Sequence, residues 1–201
     1  VNMESGHGVA FDEPHRFPDQ RATASCSLLI KMSHRLDASS YTPVHELFHL
    51  YQYGYAPFKT RWFLEGSARW AESLLNNKTL VTDSIPSNMM LNDFFKKSYD
   101  AGRVWQTLAM KADPAGELNL PPDIKAMRYS NGAAVVADSQ LHGHAFVKSV
   151  MEQFADYGFQ VSGQIGVDPY HWDEQIQNSN QFDHDLWQIV LNLLPTDKIA
   201  R

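Results

Sequence analysis

His45 and His49 stand four residues apart in the run His45-Glu46-Leu47-Phe48-His49, with an acidic residue directly after the first histidine. On a helix, four residues turn the chain by about 400°, so both imidazoles leave the same face one turn apart and can share a tetrahedral metal ion. Glu46 lies about 100° around from His45, beside the ligands rather than among them, which is where a base for metal-bound water belongs. The pattern H-E-x-x-H also arises by chance in a chain with 9 histidines. A pair of purely structural histidines so placed would need two unrelated hydrogen-bond partners, which makes that reading expensive.

The elements that must carry these residues are legible from local signals. Thr42-Pro43 announces a helix, because Thr caps well and Pro suits the first helical position. That helix is expected to run to about Tyr53 and stop at Gly54. Upstream, Ala22 to Met32 reads as a strand after the Pro- and charge-rich residues 12–21, and residues 1–35 are expected to form a small sheet. Downstream, Phe63 to Asn76 predicts a second helix with Phe63, Ala68, Ala71, Leu74 and Leu75 facing inward. Helical patterns recur over Leu91 to Lys111, Ala126 to Leu141, His144 to Tyr157 and Phe182 to Leu194. Breakers at Pro114-Ala115-Gly116, Pro121-Pro122 and Gly158 separate them. Phe146, Val147, Val150, Met151 and Phe154 keep the 3.6-residue period of a core-facing helix. No internal repeat is present. The expected architecture is α+β, a small N-terminal β-sheet lobe followed by a mainly α-helical lobe. One domain is expected over residues 1–201, with the sheet and first helix in 1–60 and the helical lobe in 61–201.

A metal site needs a third protein ligand, and the next acidic residue is Glu65 in Trp62-Phe63-Leu64-Glu65-Gly66-Ser67-Ala68. The order of the two motifs resembles the gluzincin metallopeptidases, in which H-E-x-x-H is followed on the next helix by a Glu ligand. The second motif resembles the W-L-N-E-G-F-A segment of the aminopeptidase-N family. It is also similar to secreted bacterial metallopeptidases of the form H-E-x-x-H-x-x-Q then W-x-x-E-G-x-A, which Gln52 and Trp62 match. The resemblance covers Thr42 to Glu72. It implies a thermolysin-like zincin domain holding one Zn²⁺ on His45, His49 and Glu65, with Glu46 activating a zinc-bound water to hydrolyse a peptide or protein substrate. It also implies an extracellular or periplasmic setting.

Glu72 lies two helical turns after Glu65, where the aminopeptidase pattern carries a Glu. It is the candidate to orient a ligating imidazole, with a salt bridge to Arg69 as the other reading. Tyr129 in Arg128-Tyr129-Ser130-Asn131-Gly132-Ala133 matches the aminopeptidases' Y-x-K-G oxyanion segment more weakly, because Asn131 replaces the Lys. His142 and His144 are the alternatives for that role. The sequence departs from the aminopeptidases in lacking their G-x-M-E-N segment, of which Asn2-Met3-Glu4-Ser5 is a faint echo, and in a shorter spacing from His49 to Glu65. Exopeptidase specificity therefore does not carry over. An extended substrate is expected along the strand Ala22 to Met32.

Composition bounds the partners. Asp and Glu number 23 against 17 Lys and Arg, for a net charge of −6, so no basic field exists to hold nucleic acid. No apolar run approaches the roughly 20 residues of a membrane-spanning helix. Cys26 is the single cysteine, so no internal disulfide forms. The start at Val1 reads as a processed or trimmed product, from which a signal peptide could have been removed. Asn77-Lys78-Thr79 is a glycosylation sequon. Two rival functions remain at this level. One is a non-catalytic module using the gluzincin scaffold to bind protein or glycan; the other is a zinc hydrolase of a non-peptide amide or ester. Nothing in the sequence indicates an oligomeric state.

Overall fold

Two short strands begin the described chain: β1 (Gly8–Ala10) pairs antiparallel with β2 (Ile30–Met32), Gly8 opposite Met32 and Ala10 opposite Ile30. The computed structural model describes residues 7–15, 27–37, 39–75, 83–136 and 140–195. Phe11 N–H donates to the Leu29 carbonyl at 3.0 Å and Ser33 N–H to the His7 carbonyl at 2.8 Å. Backbone groups alternate direction along an antiparallel strand, so Gly8 and Ala10 present theirs at the edge away from β2. The strand expected over Ala22 to Met32 is shorter than anticipated. Only 30–32 are strand, Ser27 makes an isolated bridge to His15, and 22–26 lie outside the described residues.

The first helix, α1, spans Thr42–Tyr55, with Thr42 and Pro43 inside its first turn and Tyr41 at the cap. Gly54 does not end it. The stop comes from Pro57, which forces the residue before it out of helical geometry; Ala56 is extended at φ −142°, ψ 148°. Helix α2 (Arg61–Leu75) buries Trp62, Phe63, Leu64, Gly66, Ser67, Ala68, Trp70 and Ala71. Its apolar surface wraps nearly all the way round because it is packed on both sides, against α1 and against the segment 99–112. Leu75, expected inside, is exposed.

The pattern Leu91 to Lys111 is not one helix. It divides into α3 (Leu91–Phe95), a 3₁₀ turn Tyr99–Ala101 and α4 (Gly102–Ala112). Leu91, Phe94, Ala101, Val104, Trp105 and Leu108 are all buried and keep one helical phase across the break, so periodicity cannot reveal it. The helix expected over Ala126 to Leu141 is also absent among the described residues of that range. The short α5 (Pro122–Ala126) is followed by a turn in which Arg128 bridges Ala134 and Gly132 takes φ +84°. The turn chemistry of Ser130-Asn131-Gly132 prevails there over the apolar residues that follow.

Helix α6 (His144–Ile165) continues through Gly158. A Cβ at that glycine would lie 2.9 Å from Cδ of Pro57, so the position serves a close approach rather than a break. Helices α7 (Glu174–Gln177) and α8 (Asp183–Asn192) complete the described chain. The core is dominated by large rings, with Trp62, Trp105, Trp187, Phe58, Phe63, Phe94 and Phe154 all fully buried. Trp62 Nε1–H donates to Asp183 at 2.7 Å and its carbonyl accepts from Trp105 Nε1–H at 2.9 Å, pinning the start of α2 to α8 and α4. The layout is α+β: a small two-stranded sheet followed by helices. Among the described residues no helix is long and apolar enough to cross a membrane.

Candidate metal centre

The buried residues of α1 are all polar: His45, Glu46, His49 and Gln52. Burying four polar side chains on one helix is unfavourable unless each is satisfied, and the surroundings show how this is done. His45 and His49 turn one face of α1 toward Glu65 on α2. One nitrogen of each imidazole and one carboxylate oxygen of Glu65 lie within 4.8 Å of one another, a group that could hold a metal ion. Nε2 of His45 is 3.0 Å and Nε2 of His49 3.8 Å from Oε2 of Glu65.

The far nitrogens are engaged behind the site. Nδ1 of His49 donates to Oε1 of Gln52 at 2.7 Å. Gln52, only 1% exposed, then donates to the Leu64 carbonyl at 2.9 Å and to Ser67 Oγ at 2.8 Å, and Ser67 donates to the Phe63 carbonyl. Nδ1 of His45 lies 2.8 Å from Oε1 of Glu72, an ionic contact outside hydrogen-bond angles, and this buried nitrogen has no other partner. The other oxygen of Glu72 pairs with Arg69. Glu72 thus stands against His45 and Arg69 at once. With Nδ1 of His49 donating to Gln52, the Nε2 lone pair of that ring faces the same space as Nε2 of His45 and the Glu65 carboxylate.

Electrostatics follow from burial and these pairings. Burial works against the imidazolium of His45, but Glu65 and Glu72 outweigh it and hold the group up at about 9. Burial pushes His49 down, the more so with His45 beside it. Burial raises Glu65, yet the hydrogen bond from His45, with His49 and Arg61 nearby, brings it below the ordinary carboxylate value. Glu46 is raised, chiefly by burial, with Glu65 and Glu72 adding to it; His45 and a hydrogen bond from the Ala10 N–H oppose the shift.

Glu46 faces the strand rather than the ligand cluster's rear. A Cβ on Gly8 would come within 2.7 Å of Cγ and Oε1 of Glu46, so only glycine lets β1 approach this closely. The strand bordering Glu46 is therefore β1, through its outer edge, with β2 behind it.

Tyr129 is 58% exposed, and its backbone bonds Ala133 and Gly132 within its own turn. His142 Nδ1 donates to the Pro114 carbonyl; His144 Nδ1 contacts the Leu141 carbonyl and Asp113. The tyrosine brought to the cluster is Tyr99. Its ring centroid is 5.7 Å from that of His45, and the nearby Glu65 carboxylate acts on its hydroxyl. Burial and Glu65 raise its pKa, which keeps the phenol protonated near neutrality. Its position depends on a close helix crossing. A Cβ on Gly66 would be 2.7 Å from Trp105 Cδ1, and one on Gly102 would be 2.6 Å from Arg69 Cβ.

Tyr53 also borders the cluster, its ring stacked on His49 at 6.0 Å and 19°. Sequence reasoning assigned no role to Tyr99 or Tyr53 and used Gln52 only as a motif match. For Gln52 a signal was available: it lies three residues after His49 on the same helix face, where a polar side chain must find partners. For Tyr99 none was available, because the break that positions it is invisible to periodicity.

Compared with protein-family models, curated proteins and solved structures, the chain gives no match in any of the three.

Proposed function

We propose that the chain is a zinc-dependent hydrolase of peptide bonds, with His45, His49 and Glu65 holding the metal. The observation that carries this reading is the convergence of two Nε2 atoms and one carboxylate oxygen, each imidazole backed at Nδ1. Ligands about 2.0–2.1 Å from a tetrahedral zinc stand about 3.3 Å apart, and the separations of 3.0 and 3.8 Å bracket that spacing. Three protein ligands are the number that leaves a fourth position for chemistry. When bound, zinc supplies Lewis acidity to a carbonyl and makes water a nucleophile near neutral pH.

The chain's own groups supply the remaining functions. Glu46 is buried beside the ligands with its carboxyl raised toward the working pH, as suits a base that takes a proton from the attacking water and returns it to the leaving amine. Tyr99 has a protonated hydroxyl beside Glu65 and can donate to the developing oxyanion. An extended peptide alongside the outer edge of β1 would pass over Glu46. The test is Glu46→Gln. It is expected to keep one zinc per chain by elemental analysis while peptide hydrolysis falls by about 100 to 10,000-fold. Loss of zinc from this variant, or undiminished hydrolysis, overturns the division of roles.

A further inference from the structure

Glu46 and Tyr53 lie seven residues apart on α1, two turns along one face. The strand side follows the same line. Gly8 touches Glu46, and Asp12, four residues on, reaches Lys59, whose ammonium is 2.5 Å from Oδ2 of Asp12 and 5.6 Å from the centre of the Tyr53 ring. The chain leaving β1 therefore runs beside α1 from Glu46 toward the helix C-terminus.

At that end lies a cavity of about 350 Å³. Tyr53 forms the wall nearest the metal centre, since its ring stacks on His49. Tyr55, Phe159, Tyr170 and Trp172 form the remaining aromatic lining, and Asp12 and Lys59 stand at the edge. Trp172 is buried, whereas Phe159 is 50% and Tyr170 78% exposed, in mutual edge-to-face contact at 5.7 Å. Exposed rings around a concave space of this size are a ligand-binding feature rather than a packing one. The charges at the edge neutralise each other, so the cavity offers ring faces and ring edges, not a net charge, to an occupant.

We infer that this cavity receives an aromatic side chain of the extended peptide that the metal centre acts on, and thereby selects substrates at a position remote from the cleaved bond. The inference rests on the hydrolase reading for the placement of the peptide. Seven helical residues span about 10 Å, and an extended peptide covers that in about three residues. The selected side chain is therefore about three residues from the scissile bond. Tyr53 couples the two regions by serving as cavity wall and as the ring behind His49.

The experiment uses octapeptides in which a single Phe replaces Ala at each position in turn, with an all-Ala parent. Cleavage rates are measured on the zinc-loaded wild type and on the Phe159→Ala, Tyr170→Ala double variant, whose changes fall on exposed rings. Binding of the same peptides is measured on zinc-loaded Glu46→Gln, with and without the double substitution. One Phe position, about three residues from the cut, is expected to raise both kcat/KM and affinity by roughly tenfold or more. That gain is expected to vanish in the double variant, with cleavage of the parent unchanged. A gain that survives the double substitution, or no Phe-dependent gain in cleavage or binding, overturns the inference while leaving the hydrolase reading intact. Wild type that binds zinc and cleaves none of the peptides refutes the hydrolase reading instead. The binding arm then still decides the cavity: Phe-dependent affinity lost in the double variant upholds an aromatic occupant, and its absence overturns it.

Discussion

Gln52 accepts from Nδ1 of His49 at 2.7 Å while its amide donates to two oxygens of α2, so one buried side chain fixes the imidazole and joins the two helices that carry the cluster. Glu72 stands in the corresponding place behind His45, but in a looser ionic contact that it shares with Arg69. Glu72→Ala is expected to weaken zinc binding by roughly 10 to 100-fold without unfolding the protein. Gln52→Leu is expected to lower both zinc affinity and thermal stability, since it also strips hydrogen bonds from buried groups of α2. Competition with a chromophoric chelator and a melting curve separate the two effects. Unchanged affinity in Glu72→Ala would leave Glu72 only its pairing with Arg69.

Tyr99→Phe removes a hydroxyl from the cluster and nothing from the core. The loss of an oxyanion donor typically lowers kcat by about 100 to 1,000-fold, with little change in KM if it acts on the transition state. Tyr129→Phe, at an exposed residue whose backbone hydrogen bonds to Ala133 and Gly132 the change leaves intact, is expected to remain near full activity. A collapse of Tyr129→Phe with Tyr99→Phe unaffected would reverse this assignment.

Gly8→Ala tests the contact between strand and base. Its added methyl would meet Glu46 at 2.7 Å, so either the carboxylate or the strand has to shift. Misplacing a catalytic group by about 1 Å can lower the rate about 100-fold. Zinc content is expected to stay at that of the wild type, because the atoms nearest the added methyl belong to Glu46 and Thr42 and not to the proposed ligands. Full activity in this variant would mean that β1 yields without disturbing Glu46.

Asp183 gives a pH dependence independent of the metal. Burial raises its carboxyl pKa above the ordinary value of 3.8, against the hydrogen bond from Trp62. A native state with the higher pKa holds its proton when the unfolded chain has lost it. The stability it contributes is therefore full below about pH 4 and declines as pH rises through the native pKa. Asp183→Asn is expected to flatten this part of the profile in urea unfolding between pH 4 and 7. Trp62→Phe, which leaves the buried carboxylate without its donor, is expected to lose about 1–3 kcal/mol. A wild-type profile that rises over that interval as steeply as that of Asp183→Asn would contradict the assignment.

What sequence could reveal depended on how local the determinant was. His45 and His49 were legible because helical spacing alone sets their geometry, Glu65 because it is the next acidic residue and stands in the second motif, and α1 and α2 because caps and apolar periods mark them. The Gly54 stop failed because a downstream proline sets the end of α1. The helices expected over Leu91 to Lys111 and Ala126 to Leu141 failed for opposite reasons, a break that preserves phase and a turn that lacks it. Tyr99 was beyond reach because two glycines, Gly66 and Gly102, determine its approach through contacts between helices distant in sequence.

Every side chain that contacts the cluster from α1 and α2 falls between His45 and Glu72, on two successive helices joined by the short linker 56–60. Bringing the ligands together thus requires closing a very small loop, for which the entropic penalty is low. If these residues hold a metal as proposed, so local a set can capture the ion as soon as this hairpin forms, ahead of the long-range docking of α8 on Trp62. Metal present during refolding would then accelerate the process rather than only stabilise its end point, and the hairpin becomes a natural unit for transplantation into an unrelated helical scaffold.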